Sequence, residues 1–590
     1  MTNIDRLFLN GRLWTGDASQ PEAEALALGG ETIVGVGSTA QMRALAGPGV
    51  EAIDLEGRRV VPGFIDAHWH FLPDSRARFF MAGSLAEFQR RLKALAEADS
   101  GGGWIIDSGW AYTDFPDHTP HSRHIDSVVA NRPVWLTGRD GHMILLNSLA
   151  LQTLQISAHS GNTASDCAVR DAQGRLTGEL RGMVPLEELR SKLPPLSASQ
   201  LDGLLREIQA EANAFGITSV HNLDEALGDN LLCLQRARQQ GWLGLRVQQA
   251  HRLLPEPDAA RLALLDERRR STAGDMMFSF SGLKGWLDGT IDARTAYMRE
   301  ALTDGSAGRP YWDGQQLNDT VALMDRLGWQ VMLHATGDGS IGQAIVAYEH
   351  AARVNGPRAI NARRHRIEHI DVPSNQDLSR CALAGIMASS QPNFAYPDDT
   401  VLHNYSSLLG SERTTRAQSY RAIDEAGVRQ CFSSDYPVSS MDVLRSIHTA
   451  VERQLRGHDG AEPWMPHQRI GAEAALRHFT VDGAYAAFQD HRKGRLARGL
   501  LADMTVLSDD ILDDPQRRLL DSHVLMTVLG GRIVHQTTRA AAATRAQATS
   551  PMLRPRSACP ACRSVSLDPF QLAARAHHSA GNASAWRRYA

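Results

Sequence analysis

The sequence predicts an α/β protein with a parallel sheet at its centre and a smaller β-rich unit made from both chain ends. Three observations carry this reading. Through the middle of the chain one unit recurs: an amphipathic helix, a terminating glycine, then a β-rich run ending in polar residues. The first 60 residues are instead short β-rich runs broken by turn dipeptides. The same β texture returns near residue 500. Helix and strand alternating in this way argue for a parallel sheet, open or closed into a barrel.

The elements follow in chain order. Turns at Asn10-Gly11, Gly29-Gly30 and Glu56-Gly57 are hairpin signals. ADMTVLS (502–508) and VLMTVLGGRIVHQ (524–536) repeat that texture, so both ends are expected to assemble one small sandwich. Residues 71–195 do not fit the helix–strand rhythm; rich in Trp, Pro, Asp and Gly, they read as an insertion walling a substrate pocket. Ser197 and Gln200 form a capping box opening a helix with apolar residues at 201, 204, 205 and 208. It stops at Gly216, and ITSVHN follows. Residues 317–327, 375–384 and 419–426 repeat the plan, closed by Gly328, Gly385 and Gly427. A glycine just past a helix supplies its left-handed cap. The polar strand ends (His221, His334 with Asp338, Gln391, Asp435) are expected at the C-terminal edge of the sheet, where such folds place their chemistry. From 541 to 590, 14 Ala and seven Arg face a single acid, Asp568, so that segment is expected to be a disordered tail. Its Cys559–Cys562 pair has no second pair at zinc-finger spacing.

Composition excludes several classes. The chain has 590 residues, 43% hydrophobic and 22% charged, as in ordinary globular proteins. A net charge of −4 gives no global attraction to nucleic acid or an anionic membrane. No apolar run approaches the roughly 18 residues of a membrane span, and the N-terminus lacks signal-peptide character, so a cytoplasmic protein is expected. Six scattered cysteines form no disulfide framework. Of 62 basic residues only four are lysine: Lys93, Lys192, Lys284 and Lys493. In that background a lysine reflects either chance or a need for an amine that guanidinium cannot meet.

The strongest chemical signal is VVPGFIDAHWH, residues 60–70. Alternate residues of a strand share a face, so His68 and His70 can offer two neutral imidazoles to one cation. His334 closes the run QVML, His369 ends RHRIEH, and Asp435 ends CFSSD before Tyr436-Pro437. Set at the ends of successive parallel strands, these residues are expected to converge on a metal site.

Taken in order, VPGFIDAHWH, RPVWLTGRDGHMILLNS, GITSVHN, LKGWLDGTIDARTA, VMLHATGD, HRIEH, SDYPV and LLADMTVLS resemble the metal-dependent amidohydrolase superfamily. Within it they look most like the branch containing N-substituted formamide deformylase and exoenzyme-regulatory proteins. The resemblance runs from about residue 5 to 535. It implies a (β/α)8 TIM-like barrel over 61–494, with 71–195 inserted near the active site and a β-sandwich from 1–60 and 495–540. It implies His68, His70, Lys284, His334, His369 and Asp435 as ligands of two divalent ions, Zn²⁺ first, with Lys284 carbamylated by CO₂. Only a deprotonated primary amine adds CO₂, and the carbamate offers two oxygens to two cations. The implied reaction is hydrolysis of a non-peptide C–N bond in a small amide, N-formyl or cyclic amide by a metal-bound hydroxide, Asp435 shuttling the proton.

His142, Trp110 and Trp286 are expected at the substrate, with Asp338 and Arg294-Thr295 bracing the metal shell. Three departures bear on substrate rather than on the ligands: Ser433-Ser434-Asp435-Tyr436 replaces the usual Gly-Ser-Asp, HATGDG replaces HxxGD-Arg, and His221-Asn222 replaces His-Asp. One alternative is a mononuclear, deaminase-like hydrolase with Lys284 unmodified; another is a non-catalytic regulatory or binding protein on the same fold. The expected partner is a small-molecule substrate, not nucleic acid or membrane, with a homodimer left open.

Overall fold

Eight strands form the centre of the molecule: Phe64–Trp69, Ile217–Asn222, Arg246–Arg252, Phe278–Trp286, Gln330–Ala335, Arg366–His369, Met387–Ser390 and Gln430–Phe432. Each lies parallel to the next in chain order. The ring closes just past the eighth strand, where Asp435 N–H donates to His68 O at 2.8 Å and His70 N–H donates to Tyr436 O at 2.9 Å. The sheet is therefore a nearly closed parallel barrel of TIM type, not an open one. This computed structural model describes residues 4–537 apart from 48, 72–81, 99–102, 158–166, 183–188, 226–227, 357–361, 456–461, 516–518 and 520. The expectations for the tail and for Cys559 and Cys562 lie outside these residues. Among the described residues no helix is long and apolar enough to cross a membrane.

Local chemistry sets the helix ends. Ser197 and Gln200 make the reciprocal bonds of a capping box at the start of Ala198–Ala214, and Leu201, Leu204, Leu205 and Ile208 are buried as their spacing requires. Gly216, at φ +82°, turns the chain into the second barrel strand. A Cβ there would lie 2.6 Å from Thr505 Cγ2 and 2.9 Å from the Phe64 ring, so the position demands glycine on two counts.

Two further sheets come from the chain ends. One contains Thr32–Gly37, Ala25–Gly29, Arg6–Leu9 and Glu51–Asp54. The other runs Arg532–Gln536, Val524–Leu529, Met504–Leu507, Arg59–Pro62, Arg12–Trp14, Glu22–Ala23, with strands from both termini side by side. Phe8, Leu26 and Ile33 of the first share an apolar core with Val60, Met504, Val506 and Val528 of the second. A buried ion pair, Arg246 Nε to Asp503 Oδ2 at 2.7 Å, ties this unit to the third barrel strand.

Residues 71–195 contain a mixed five-stranded sheet: Ala168–Arg170, Leu176–Arg181, Met143–Leu146, Val134–Gly138 and Ile105–Trp110. It has its own core, in which Phe88, Phe115 and Leu145 surround Trp110. Trp110, expected at the substrate, is placed elsewhere: it is fully buried in this core, and its Nε1–H donates to Leu136 O at 2.8 Å. A large aromatic next to a short strand is drawn inward by its area, and its one polar atom is satisfied there.

Candidate active site

Strand alternation delivers the first ligand candidates. Asp66, His68 and His70 share the inner face of the first strand, while Trp69 between them is buried in the outer core. His68 Nε2 and His70 Nε2 are 3.3 Å apart, and Asp435 Oδ1 lies 3.3 Å from the first and 3.1 Å from the second. Lys284 Nζ, from the fourth strand, is 3.1 Å from His68 Nε2. The His369 ring centroid is 4.8 Å from that of His68 and 4.4 Å from that of His334. Six side chains from strands far apart in the chain thus meet at one end of the barrel. The atoms His68, His70 and Asp435 would offer a cation lie within 4.8 Å of one another.

One nitrogen of each imidazole meets an acceptor outside the cluster of six. His68 Nδ1 meets Glu368 Oε2 at 2.8 Å and His70 Nδ1 meets Asp224 Oδ1 at 2.6 Å. His334 Nε2 meets Gly289 O at 3.0 Å, and His369 Nδ1 meets Gln391 Oε1 at 2.9 Å. The Gln391 amide nitrogen donates to Ser433 Oγ and Ser389 O, which fixes its oxygen toward His369. An acceptor on one ring nitrogen holds the proton there and leaves a lone pair on the other, which is what a metal ligand needs. The donor set therefore fits a divalent cation of the zinc kind.

Two members sit in unusual backbone. Asp435 has φ +56° and His369 has φ +73°, the left-handed region that side chains avoid unless their surroundings enforce it. At His369 this breaks the strand alternation, so that consecutive residues Glu368 and His369 both lie against His68. At Asp435 the enforcement comes from its N–H bond to His68 O and from Asp66, which accepts from Ser434 N–H at 3.0 Å and from the Ser434 hydroxyl. Burial raises the Asp66 carboxyl to about 7, against the hydrogen bonds from Ser434.

Burial also dominates the titration of the site. It holds His68, His334 and His369 well below the usual imidazole range, with Lys284 adding to the effect. His70 goes the other way: burial is outweighed by Asp224 and Asp435, which push it to about 9. Burial lowers Lys284 to about 8, with Glu368 and Asp435 opposing.

The site opens into a cavity of about 1180 Å³. His142 and Trp286 both line it. Trp286 lies two residues beyond Lys284, its ring 5.4 Å from Nζ. The His142 ring is 4.8 Å from that of His334, and its Nδ1 has no hydrogen-bond partner among the described residues. The loop carrying His142 is latched to the barrel: Asp140 accepts from the Thr290 hydroxyl and from His142 N–H, and Gly289, beside Thr290, holds His334. Thr295 Oγ1 accepts from Thr290 N–H at 3.1 Å and so supports this loop, whereas Arg294 turns away to Asp304 at 2.9 Å. Asp338 opens the helix Asp338–Asn355 and binds Arg299 N–H and Arg416. His221 lies deeper in the barrel, its Nδ1 3.0 Å from Arg366 Nη1.

The chain matches the Amidohydrolase family over residues 51–535. It belongs to that family. It is 30% identical over 543 residues to Protein LONG AFTER FAR-RED 3 of Arabidopsis thaliana, covering 90% of this chain and 91% of that one. It is 25% identical over 554 residues to N-substituted formamide deformylase of Arthrobacter pascens, covering 90% and 99%. A solved structure of an uncharacterized metal-dependent hydrolase from Pyrococcus horikoshii OT3 shares the fold with TM-score 0.65 at 20% identity, over 90% of this chain and all of that one. Membership makes the chain a protein of hydrolase type.

Asp66, Asp224, Arg366 and Glu368 were not singled out in the sequence. For Asp66 and Glu368 the signal was present, an acid two residues before His68 and one beside His369. Asp224 had none, since it reaches His70 from a loop 154 positions away.

Proposed function

We propose that this protein hydrolyses a non-peptide C–N bond of a small amide, N-formyl or cyclic amide, with Asp435 as proton shuttle beside two divalent cations, zinc first. The observation that supports this best is the convergence of His68, His70, Lys284, His334, His369 and Asp435, with each imidazole already oriented by a partner on its outer nitrogen. Cations held by these groups would polarise the substrate carbonyl and lower the pKa of a water from about 15.7 to near 7. Lys284 would serve as a ligand in its carbamate form, its neutral amine having bonded to the carbon of CO₂ with release of one proton. A lysine lowered to about 8 by burial has that neutral form at hand. Asp435 accepts the proton of the attacking water and returns it to the departing nitrogen. His142 reaches the substrate from the inserted sheet and Trp286 packs against its apolar part. The protein acts in the cytoplasm on a small molecule, alone or as a homodimer, and its two end sheets form a sandwich beside the barrel.

A mononuclear centre is the second reading, favoured by the tight grouping of His68, His70 and Asp435 alone. Metal analysis decides between them: two ions per chain, or one with Lys284 unmodified. A panel of N-formyl and N-acyl amines with zinc supplied tests the activity itself. Metal-dependent release of amine is expected; a zinc-loaded protein inert across the panel would leave only the binding role.

A further inference from the structure

The layer of the barrel beneath the site is built from charge. Arg366 and Glu368 alternate on the sixth strand and are 1% and 0% exposed. Glu368 Oε2 accepts from His68 Nδ1 at 2.8 Å and from Arg366 Nη2 at 3.0 Å, and Arg366 Nε is 2.8 Å from Glu368 Oε1. The same guanidinium reaches three other strands: Ala67 O at 2.6 Å on the first, His221 Nδ1 at 3.0 Å on the second and Ser389 Oγ at 3.2 Å on the seventh.

Such a pair is a poor source of stability, because desolvating both charges consumes most of their attraction. Barrels of this type ordinarily fill the layer with branched apolar side chains. Among its contacts, one goes to a ligand candidate: the nitrogen of His68 that faces away from the site. By contrast, the acceptor of His70, Asp224, belongs to a loop on the cavity wall and is 15% exposed.

We propose that Glu368 and Arg366 are positioning residues for His68. Glu368 takes the Nδ1 proton, so that Nε2 presents its lone pair to the cation, and Arg366 fixes Glu368 by fastening it to three neighbouring strands. The inference rests on the metal-centre reading above. An anionic acceptor also strengthens the imidazole as a donor, and losing such a partner weakens metal affinity about 10- to 100-fold.

The test titrates metal-free full-length protein with Zn²⁺ against a chromophoric chelator, with circular dichroism and thermal unfolding recorded for each form. Glu368→Gln should weaken zinc binding about 10- to 100-fold. Because it leaves Arg366 buried without its counter-charge, a second variant carries Arg366→Met together with Glu368→Gln, a neutral pair that such sites usually tolerate. A purely structural pair would leave zinc affinity at the wild-type level in the folded double variant, and that result overturns the proposal while the metal centre stands. Failure of the wild type to bind zinc would overturn the metal centre and this proposal together. One measurement needs no Glu368 or Arg366 variant: ¹⁵N-histidine NMR of the metal-free wild type, with His68→Gln for assignment, should show His68 protonated at Nδ1. Protonation at Nε2 overturns the proposal.

Discussion

Asp435 holds one oxygen between two imidazoles, at 3.3 and 3.1 Å, from a backbone conformation that only its neighbours can enforce. Asp435→Asn keeps the shape and an oxygen ligand but cannot take up a proton. It should retain part of the metal and lose about 10²- to 10⁴-fold in kcat, read by metal analysis and turnover on the same sample. Lys284→Ala should be inactive and partly rescued by short carboxylates standing in for the carbamate; full activity without rescue would remove the binuclear form. Lys493 tests burial rather than chemistry. Its Nζ donates to Ser219 Oγ at 2.7 Å, and burial, with Arg246, lowers its pKa to about 7 against the opposing effect of Asp503. The unfolded chain, with a lysine pKa near 10.4, therefore binds more protons between about pH 7 and 10, and stability should rise with pH across that window. Denaturant titrations of wild type and Lys493→Met should differ by that slope; equal slopes would contradict the burial. At this scale the HxH pair and the scarcity of lysine were legible in the sequence. Asp224 was not, because an acid that turns inward looks the same in one dimension as an acid on the surface.

Among elements, helix ends and strand order were the most legible features, since capping boxes and cap glycines are local chemistry. The junction at Gly216 shows how local and global demands coincide there. Gly216→Ala would meet a left-handed backbone and contacts of 2.6 Å to Thr505 and 2.9 Å to Phe64. Left-handed strain alone costs about 1–2 kcal/mol, and the crowding adds to it. Equilibrium unfolding should register a loss of at least that size, and a neutral result would mean the junction relaxes freely. The inserted sheet was read only as an irregular stretch. Its strands are short and separated by Gly, Asp and Pro, and its order is set by pairings such as Val134 with Ile105 that no periodicity encodes. For the same reason Trp110 was assigned to the cavity, whereas of Trp110 and Trp286 it is Trp286 that lines it.

For the whole molecule, the sequence marked both β-rich ends and the barrel rhythm between them, but left the parallel sheet open or closed until the resemblance and then the hydrogen bonds past the eighth strand decided it. That closure matters for chemistry, because the bonds sealing the ring join Asp435 and Tyr436 to His68 and His70. Fold and candidate site are thus completed by the same contacts. The most direct test of the metal centre is a zinc-soaked crystal measured at the zinc absorption edge. The account predicts anomalous peaks about 2.0–2.2 Å from ligand atoms of His68, His70 and Asp435, with a second ion toward His334, His369 and Lys284. At saturating zinc, the absence of any peak within bonding distance of these side chains would contradict it.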